Sequence, residues 1–420
     1  MKPLPVSEIL DPSKVRAIRV QAELVRAGGF FLAGGTGLGL RLRHRRSRDL
    51  DWFTAAGFDA HQLGKQLEAL PEKPTLIRQD GPTTLRAFYG TLETSFIRYT
   101  QVPAIPEAFH FGAVELPVAD MKAIAAMKAA AVHDRGQRRD FIDIHAIAKQ
   151  PAWSVARFIE HASKMLPFQP EQVARALTYF ADAEPDELPA GYSTPWEVVK
   201  KDLVQGVRDW ERDRSERSAL DRVLLPITDA TDRKALHRLG LHAETIGDQR
   251  FASAVRQAGD GTIAFPCRDA IGVVGAILHG EGASPPIGRP ARGVWSSAEN
   301  VHDDVLVLVD SPLDALSYHQ ANPNARARYV ATGTDIKGDV EALIREVISG
   351  MPSRSRVVLA FPRTSRGASL SARIEALVPE RKPTRHLPQR GSSWSSYLQE
   401  QEREWIRAQA FRRPGRDRGR

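Results

Sequence analysis

Cysteine is nearly absent from this chain. Cys267 is the single one in 420 residues, so no internal disulfide can form and a reducing, cytoplasmic setting is expected. Long apolar runs are also missing. No stretch approaches the ~18 residues of a membrane helix, so no membrane partner is expected. The start, MKPLPVSEIL, lacks a basic segment followed by an apolar one, and no signal peptide is read there. The twelve histidines show no metal-ligand spacing, which argues against zinc. Acid is in deficit: 51 Asp and Glu face 59 Lys and Arg, a net charge of +8. The resulting pI of about 9.6 suits a polyanionic partner such as RNA or DNA.

What is present concentrates in Phe30 to Phe53, FFLAGGTGLGLRLRHRRSRDLDWF. An apolar strand, Phe30–Ala33, turns at Gly34-Gly35-Thr36 into a basic amphipathic segment. A second strand, Asp49–Phe53, then carries Asp49-Leu50-Asp51. Strand side chains alternate, so Asp49 and Asp51 share a face. Paired carboxylates raise one pKa unless a cation neutralises them. Mg²⁺ is commonly held by one or two carboxylates plus substrate phosphates. A Gly-Gly turn opening a helix offers bare N–H groups to phosphate. Phosphate cradle and acid pair together fit metal-dependent nucleotidyl transfer. Arg41, Arg43, Arg45, Arg46 and Arg48 sit beside the acids and are read as contacts to nucleic acid or nucleotide phosphate. Residues 403–420, rich in arginine, are read as a basic disordered tail.

Element signals alternate along the first half. Thr84–Tyr89 and Glu93–Tyr99 read as a hairpin pair, Val118–His133 and Arg139–Lys149 as helices, and Pro151 to Trp210 as three more helices. The fold class is α/β: an α+β core over residues 1–150, a helical bundle over 151–212, a charge-dense stretch over 213–222 taken as a linker with the exposed end of the last helix as the other reading, and a second α/β domain over 223–402. In that domain Thr262–Pro266 and Gly272–His279 read as a hairpin. Val305–Val309 reads as a buried strand, followed by helix Asp314–Gln320. Tyr329–Thr332, helix Val340–Ile348 and strand Val357–Phe361 continue a βαβα plan. Cys267, in a strand-turn context, reads as a buried structural thiol.

Three blocks resemble the AbiEii/AbiGii toxin family of the nucleotidyltransferase superfamily. The first is Gly34-Gly35-Thr36 with His44, Arg45, Ser47, Asp49, Leu50, Asp51 and Phe53. The second is Asp120 to Lys128 with Arg135-Gly136 and Arg139-Asp140-Phe-Ile-Asp143. The third is Ala176 to Glu184 with Trp196 to Lys200. The resemblance covers about half the chain and ends near Trp210. It implies a toxin that transfers a nucleotide from an NTP, using Mg²⁺, to an RNA acceptor such as the tRNA 3′ end, opposed by a cognate antitoxin protein. It implies Asp49, Asp51, Lys128 and Asp140 as catalytic residues, with Asp49 and Asp51 on the metal. Gly34, Gly35, Thr36, Arg46, Ser47, Arg135 and Arg139 would bind the nucleotide. A structural salt-bridge knot is the other reading of Arg139-Asp140-x-x-Asp143. Ser95 stands where many nucleotidyltransferases carry a third acid, which leaves the third metal ligand unassigned.

The second half resembles Toprim-like domains of plasmid mobilisation and primase-related proteins. The residues are Phe265 to Asp269 with Gly272 and Gly275, Asp310 to Ser317, and Ala331-Thr332-Gly333. The resemblance implies a Glu where Asp310 stands and acids where Pro362-Arg363-Thr364 stand. A catalytically inactive Toprim fold with one short carboxylate is therefore expected. The competing functions are a non-catalytic nucleic-acid-binding protein of a mobile element, and nucleotide placed on a protein hydroxyl.

Overall fold

The computed structural model describes residues 3–104, 106–111, 114–151, 153–227, 236–280, 285–333 and 335–412. Its contacts divide the chain into two compact units, Met1–Arg212 and Asp213–Arg420. The architecture is mixed α/β with three sheets.

The first unit opens with α1 (Val6–Ile9) and α2 (Pro12–Ala27). Asp11 caps α2 through its carboxylate, and Pro12 fills the first helical position, where a missing N–H costs nothing. There follow β1 (Phe31–Leu32), α3 (Gly34–Leu42), β2 (Leu50–Thr54), α4 (Ala60–Glu68), β3 (Leu76–Gln79), β4 (Thr84–Tyr89), β5 (Leu92–Arg98), β6 (Pro106–Phe111) and β7 (Val114–Ala119). The seven strands form one mixed sheet in the order β3-β4-β5-β2-β1-β7-β6. The helices α5 (Met121–Asp134), α6 (Arg138–Ala148), α7 (Val155–Met165), α8 (Pro170–Thr178) and α9 (Trp196–Val223) complete it. One core gathers Ile18, Leu63 and Leu67 with Trp52 and Phe96 of the sheet. The other gathers Ile124 and Phe141 with Phe31 and Leu38. Small side chains at Ala123, Ala125, Ala126, Ala129 and Ala130 bury most of α5.

Three sequence readings need correction. Val118 is strand, not helix: it pairs with Leu32, and α5 begins only after Asp120, which caps it by accepting from the Ala123 N–H at 2.9 Å. The linker expected at 213–222 is helical and belongs to α9, since its Glu, Arg, Ala and Leu residues favour helix and no Gly or Pro interrupts them. The tail expected from 403 starts as helix, in Trp394–Arg412; residues 413–420 lie outside the described ones.

The second unit holds two five-stranded sheets. One is antiparallel throughout and runs β8 (Leu225–Pro226), β9 (Arg256–Gln257), β10 (Ile263–Arg268), β11 (Val273–His279) and β12 (Ile287–Gly288). The other includes β13 (Trp295–Ser296), β14 (Val305–Val309), β15 (Ala327–Ala331), β16 (Arg356–Leu359) and β17 (Thr384–Arg385), in the order β13-β15-β14-β16-β17. Strands β15, β14, β16 and β17 are parallel, which explains the unbroken burial of Val305–Val309. Cys267 is buried in β10, and burial pushes its thiol up to about 12.

Candidate active site

The acid pair sits where β2 meets the start of α3. The Ala33 N–H donates to the Asp51 carbonyl at 3.1 Å, and the Thr36 hydroxyl donates to the Asp49 carbonyl. Both bonds tie the backbone of the acid pair to the mouth of α3. The first N–H groups of a helix have no acceptor inside it, and its positive end favours an anion. Asp51 lies against that end. A Cβ on Gly34 would stand 2.4 Å from Asp51 Oδ2, and Gly34 has φ +60°. A side chain there meets both a carboxylate and the left-handed region. Gly34→Ala is therefore expected to lower stability by about 1 kcal/mol or more and to displace Asp51. A thermal melt together with a transfer assay checks this: a variant with parental Tm and rate would show that the contact does not matter. Gly35 serves its neighbour, because a Cβ there would meet Ser47 Oγ at 2.7 Å.

Burial is the largest influence on both acids, and it raises both. Asp49 is raised next by the charge of Glu93, while Arg139, Arg48 and Lys14 pull it down. Asp51 is pushed up to about 6, by burial and then by Asp49, against Lys128, Arg139 and Arg135. No ion pair joins either acid to a cation among the described residues. Glu93 was missed by the sequence reading. Strand β2 runs parallel to β5 with Leu50 opposite Thr94 and Asp51 opposite Ser95. One step back, the same register sets Glu93 beside Asp49, on the face that Ser95 shares. Ser95 Oγ donates to Glu93 Oε1 at 3.3 Å, and Arg86 Nη1 donates to the same oxygen at 3.0 Å. The i, i+2 pair Glu93-x-Ser95 was the available signal, but only the parallel register shows which of the two meets which acid.

Lys128 and Asp140 are placed in a buried knot. Lys128 Nζ lies 3.1 Å from Asp140 Oδ1 and 2.7 Å from Asp143 Oδ2. Arg135 donates to both oxygens of Asp140, at 2.9 and 3.1 Å. Arg45 donates to both oxygens of Asp143, at 2.6 and 2.8 Å, and His44 Nε2 stands 2.7 Å from Oδ1. Burial alone would raise Asp143; the charges of Arg45 and Lys128 overcome it and hold the carboxyl well below the usual range. Lys128 and Arg135 likewise lower Asp140 against its burial. Of the two readings of Asp140, this geometry is that of the structural knot: both its oxygens are occupied and it is fully buried. The charges of Lys128 and Arg135 also reach Asp51 and lower it.

The arginine cluster also needs correction. Arg41 donates to the carbonyls of Ala119 and Val118 and pairs with Glu107. Arg43 closes α3 at φ 52°. Arg45 is buried in the knot. Arg41 and Arg45 are thus engaged within the protein, while the Arg43 side chain is exposed. Thr36, expected at the nucleotide, is fully buried, and its hydroxyl serves Asp49. Arg46, Ser47, Arg48 and Arg139 do line a cavity of about 750 Å³, with Lys14 and the loop 185–190. Arg46 pairs there with Glu8, while Arg48 and Arg139 carry no ion pair among the described residues. The cations that lower Asp49 thus line this cavity.

In the second unit Asp310 follows β14, and it is not alone. Burial and then the neighbouring Asp314 push its carboxyl up to about 7. Asp314 accepts from the Ser395 N–H at 2.7 Å and from the Ser311 hydroxyl at 3.1 Å. The expectation of one isolated carboxylate is corrected to a pair. At the end of β16, Arg363 donates to the Pro388 carbonyl and Thr364 caps the next helix. Among the described residues no group of three or more His, Cys, Asp or Glu is placed to hold a metal.

Comparison with known proteins places the first unit. The chain is 27% identical over 186 residues to an uncharacterized protein of Aquifex aeolicus (strain VF5), covering 43% of this chain and 87% of that protein. It is similar to JHP933 from Helicobacter pylori (TM-score 0.32, 20% identity, 49% of this chain and 96% of that one). It is similar to MenT4, a nucleotidyltransferase toxin from Mycobacterium tuberculosis H37Rv (TM-score 0.29, 17% identity, 52% and 97%). A likeness to the primase fragment of the bacteriophage T7 primase-helicase protein has TM-score 0.32 and 13% identity over 44% of this chain and 78% of that one. These structural likenesses are too slight to carry an assignment. A family model described as "Nucleotidyl transferase AbiEii toxin, Type IV TA system" matches residues 23–222, the span that holds the acid pair, the knot and most of the cavity wall. Residues 23–222 of this chain are therefore a nucleotidyltransferase toxin domain of the AbiEii family.

Proposed function

We propose that the protein transfers a nucleotidyl group from an NTP to an RNA acceptor, the tRNA 3′ end, with Mg²⁺ held by Asp49 and Asp51. The observation that carries this reading is the under-neutralised acid pair beside a helix N-terminus and a basic cavity. Two hard oxygen donors, raised in pKa by burial and by each other, suit Mg²⁺ completed by substrate phosphates rather than an all-protein cage. The metal would polarise the α-phosphoryl oxygens and make the acceptor hydroxyl more acidic. The chain's own residues do the rest. The N–H groups opening α3, with Ser47, face the phosphates; Arg48 and Arg139 offset charge on the departing pyrophosphate. Lys128, Arg45 and Arg135 fix α5 and α6 behind Asp51 through Asp140 and Asp143. Glu93, held by Arg86, is the third carboxylate of the face.

At limiting Mg²⁺ the apparent affinity for the cation is expected to weaken as pH falls from 7 to 5, because protons compete with it for the Asp51 carboxyl, which burial and Asp49 raise. An apparent Mg²⁺ affinity that is unchanged between pH 7 and pH 5 would contradict this. As a toxin, the wild-type chain should arrest growth on induction, and a cognate antitoxin should relieve the arrest; growth unaffected by folded, expressed protein would favour a non-catalytic nucleic-acid binder. The second unit is read as a Toprim-like domain without metal-dependent cleavage, since Arg363 and Thr364 stand where acids are needed.

A further inference from the structure

Lys14 is an unusual lysine. It lies in α2, nine positions ahead of the family match that starts at residue 23. It is only 3% exposed, yet it lines the basic cavity that Arg48 and Arg139 also line. An ammonium has three N–H donors and no acceptor. Among the described residues one acceptor meets it, Asp11 Oδ2. Asp11 is already engaged as the cap of α2, accepting from the N–H of Ser13 at 3.0 Å and of Lys14 at 3.1 Å. A buried ammonium is costly unless acceptors surround it, and the protein supplies one among the described residues. Its charge also reaches the site, being one of three cations that pull Asp49 down. The segment before it is fastened on the same side: the Leu4 N–H donates to the Arg43 carbonyl at 2.8 Å, and Glu8 pairs with Arg46.

We propose that Lys14 binds a phosphate oxygen of the nucleoside triphosphate, beside Arg48 and Arg139, and that Asp11 holds its place until the phosphate arrives. The inference rests on the nucleotidyl-transfer reading. It makes the segment ahead of residue 23 part of the substrate site. It also gives the two members of the Lys14–Asp11 pair opposite roles: the lysine attracts the triphosphate, and the aspartate, which also lines the cavity, repels it.

The test uses the full chain with each labelled NTP and RNA, and reads the two KM values separately. Lys14→Met is expected to raise the KM for NTP about tenfold or more, the usual loss for a charge-assisted hydrogen bond, with the KM for RNA unchanged. Lys14→Arg should restore most of the loss. Asp11→Asn, which keeps a good cap, should leave the KM for NTP unchanged or lower it. Circular dichroism and a thermal melt confirm that each variant is folded. If Lys14→Met is unfolded, Asp11→Asn and Lys14→Arg still decide: a KM for NTP at or below the parental value in the first and near it in the second supports the inference, and a raised KM in the first overturns it. The inference is overturned if folded Lys14→Met keeps the parental KM for NTP, or if both substitutions raise it alike, as a purely structural pair would. A rise in the KM for RNA alone overturns the assignment to the triphosphate and moves the contact to the acceptor's backbone. If the wild-type chain transfers no nucleotide at all, the underlying reading fails instead.

Discussion

Asp49→Asn and Asp51→Asn are each expected to lower nucleotidyl transfer by on the order of a thousandfold, with the fold intact. Neither amide can hold a hard cation as a carboxylate does. Asp51→Asn should also stabilise the metal-free protein. The Asp51 carboxyl is pushed from its ordinary value near 3.8 up to about 6 by burial and by Asp49. A raised acid pKa makes folding less favourable as pH rises from the unfolded value through the folded one, so the full cost is present at pH 7.5 and disappears below about pH 4. The shift corresponds to at most about 3 kcal/mol. Thermal melts without metal should show a higher Tm for Asp51→Asn at pH 7.5, with the gain shrinking on acidification. A pH-independent or negative change in Tm would show that the acid pair is not strained by mutual charge. Loss of rate together with a gain in stability marks a residue kept for function.

Asp143→Ala is expected to do the reverse and to unfold the first unit or nearly so. It leaves Arg45, Lys128 and His44 buried without their shared acceptor, and breaking such a buried pair costs about 3–5 kcal/mol. The sign of the pH dependence is also opposite to that of Asp51. Asp143 is held below the ordinary carboxylate range, so its stabilisation is present above the unfolded pKa and is lost as pH falls through its own lower value. Urea unfolding at pH 7 measures the cost. A variant within about 1 kcal/mol of the parent would show that the knot is not what holds α5 and α6 behind the site.

Much of this was legible in the residues, for a physical reason. Period-two patterning around Asp49-Leu50-Asp51 and the Gly-Gly turn before it are local signals, and the structure shows that strand and that helix start in place. The βαβ plan of the second unit was legible in the unbroken apolar run Val305–Val309. What sequence could not supply was partnership at a distance. Arg45 and Arg46 are adjacent, yet one is buried against Asp143 and the other lies half-exposed against Glu8 at the cavity. Nothing local separates them. Lys128 and Asp140 carry charges that suit catalysis, and only the packing of α5 on α6 shows them neutralising each other. Glu93 needed the β2–β5 register, and Lys14 needed the cavity wall; both are set by tertiary contacts. The charge-dense 213–222 reads equally as linker or exposed helix, because a solvated helix and a solvated coil share one composition.

The most direct test incubates the full-length protein with Mg²⁺, total RNA and each of the four NTPs in turn, labelled once at the α-phosphate and once at the γ-phosphate. α-Label from at least one NTP is expected to become attached to RNA and γ-label is not, and Asp49→Asn and Asp51→Asn are expected to attach neither. Failure of the wild-type protein to attach label from any NTP, or attachment of γ-label, would contradict nucleotidyl transfer.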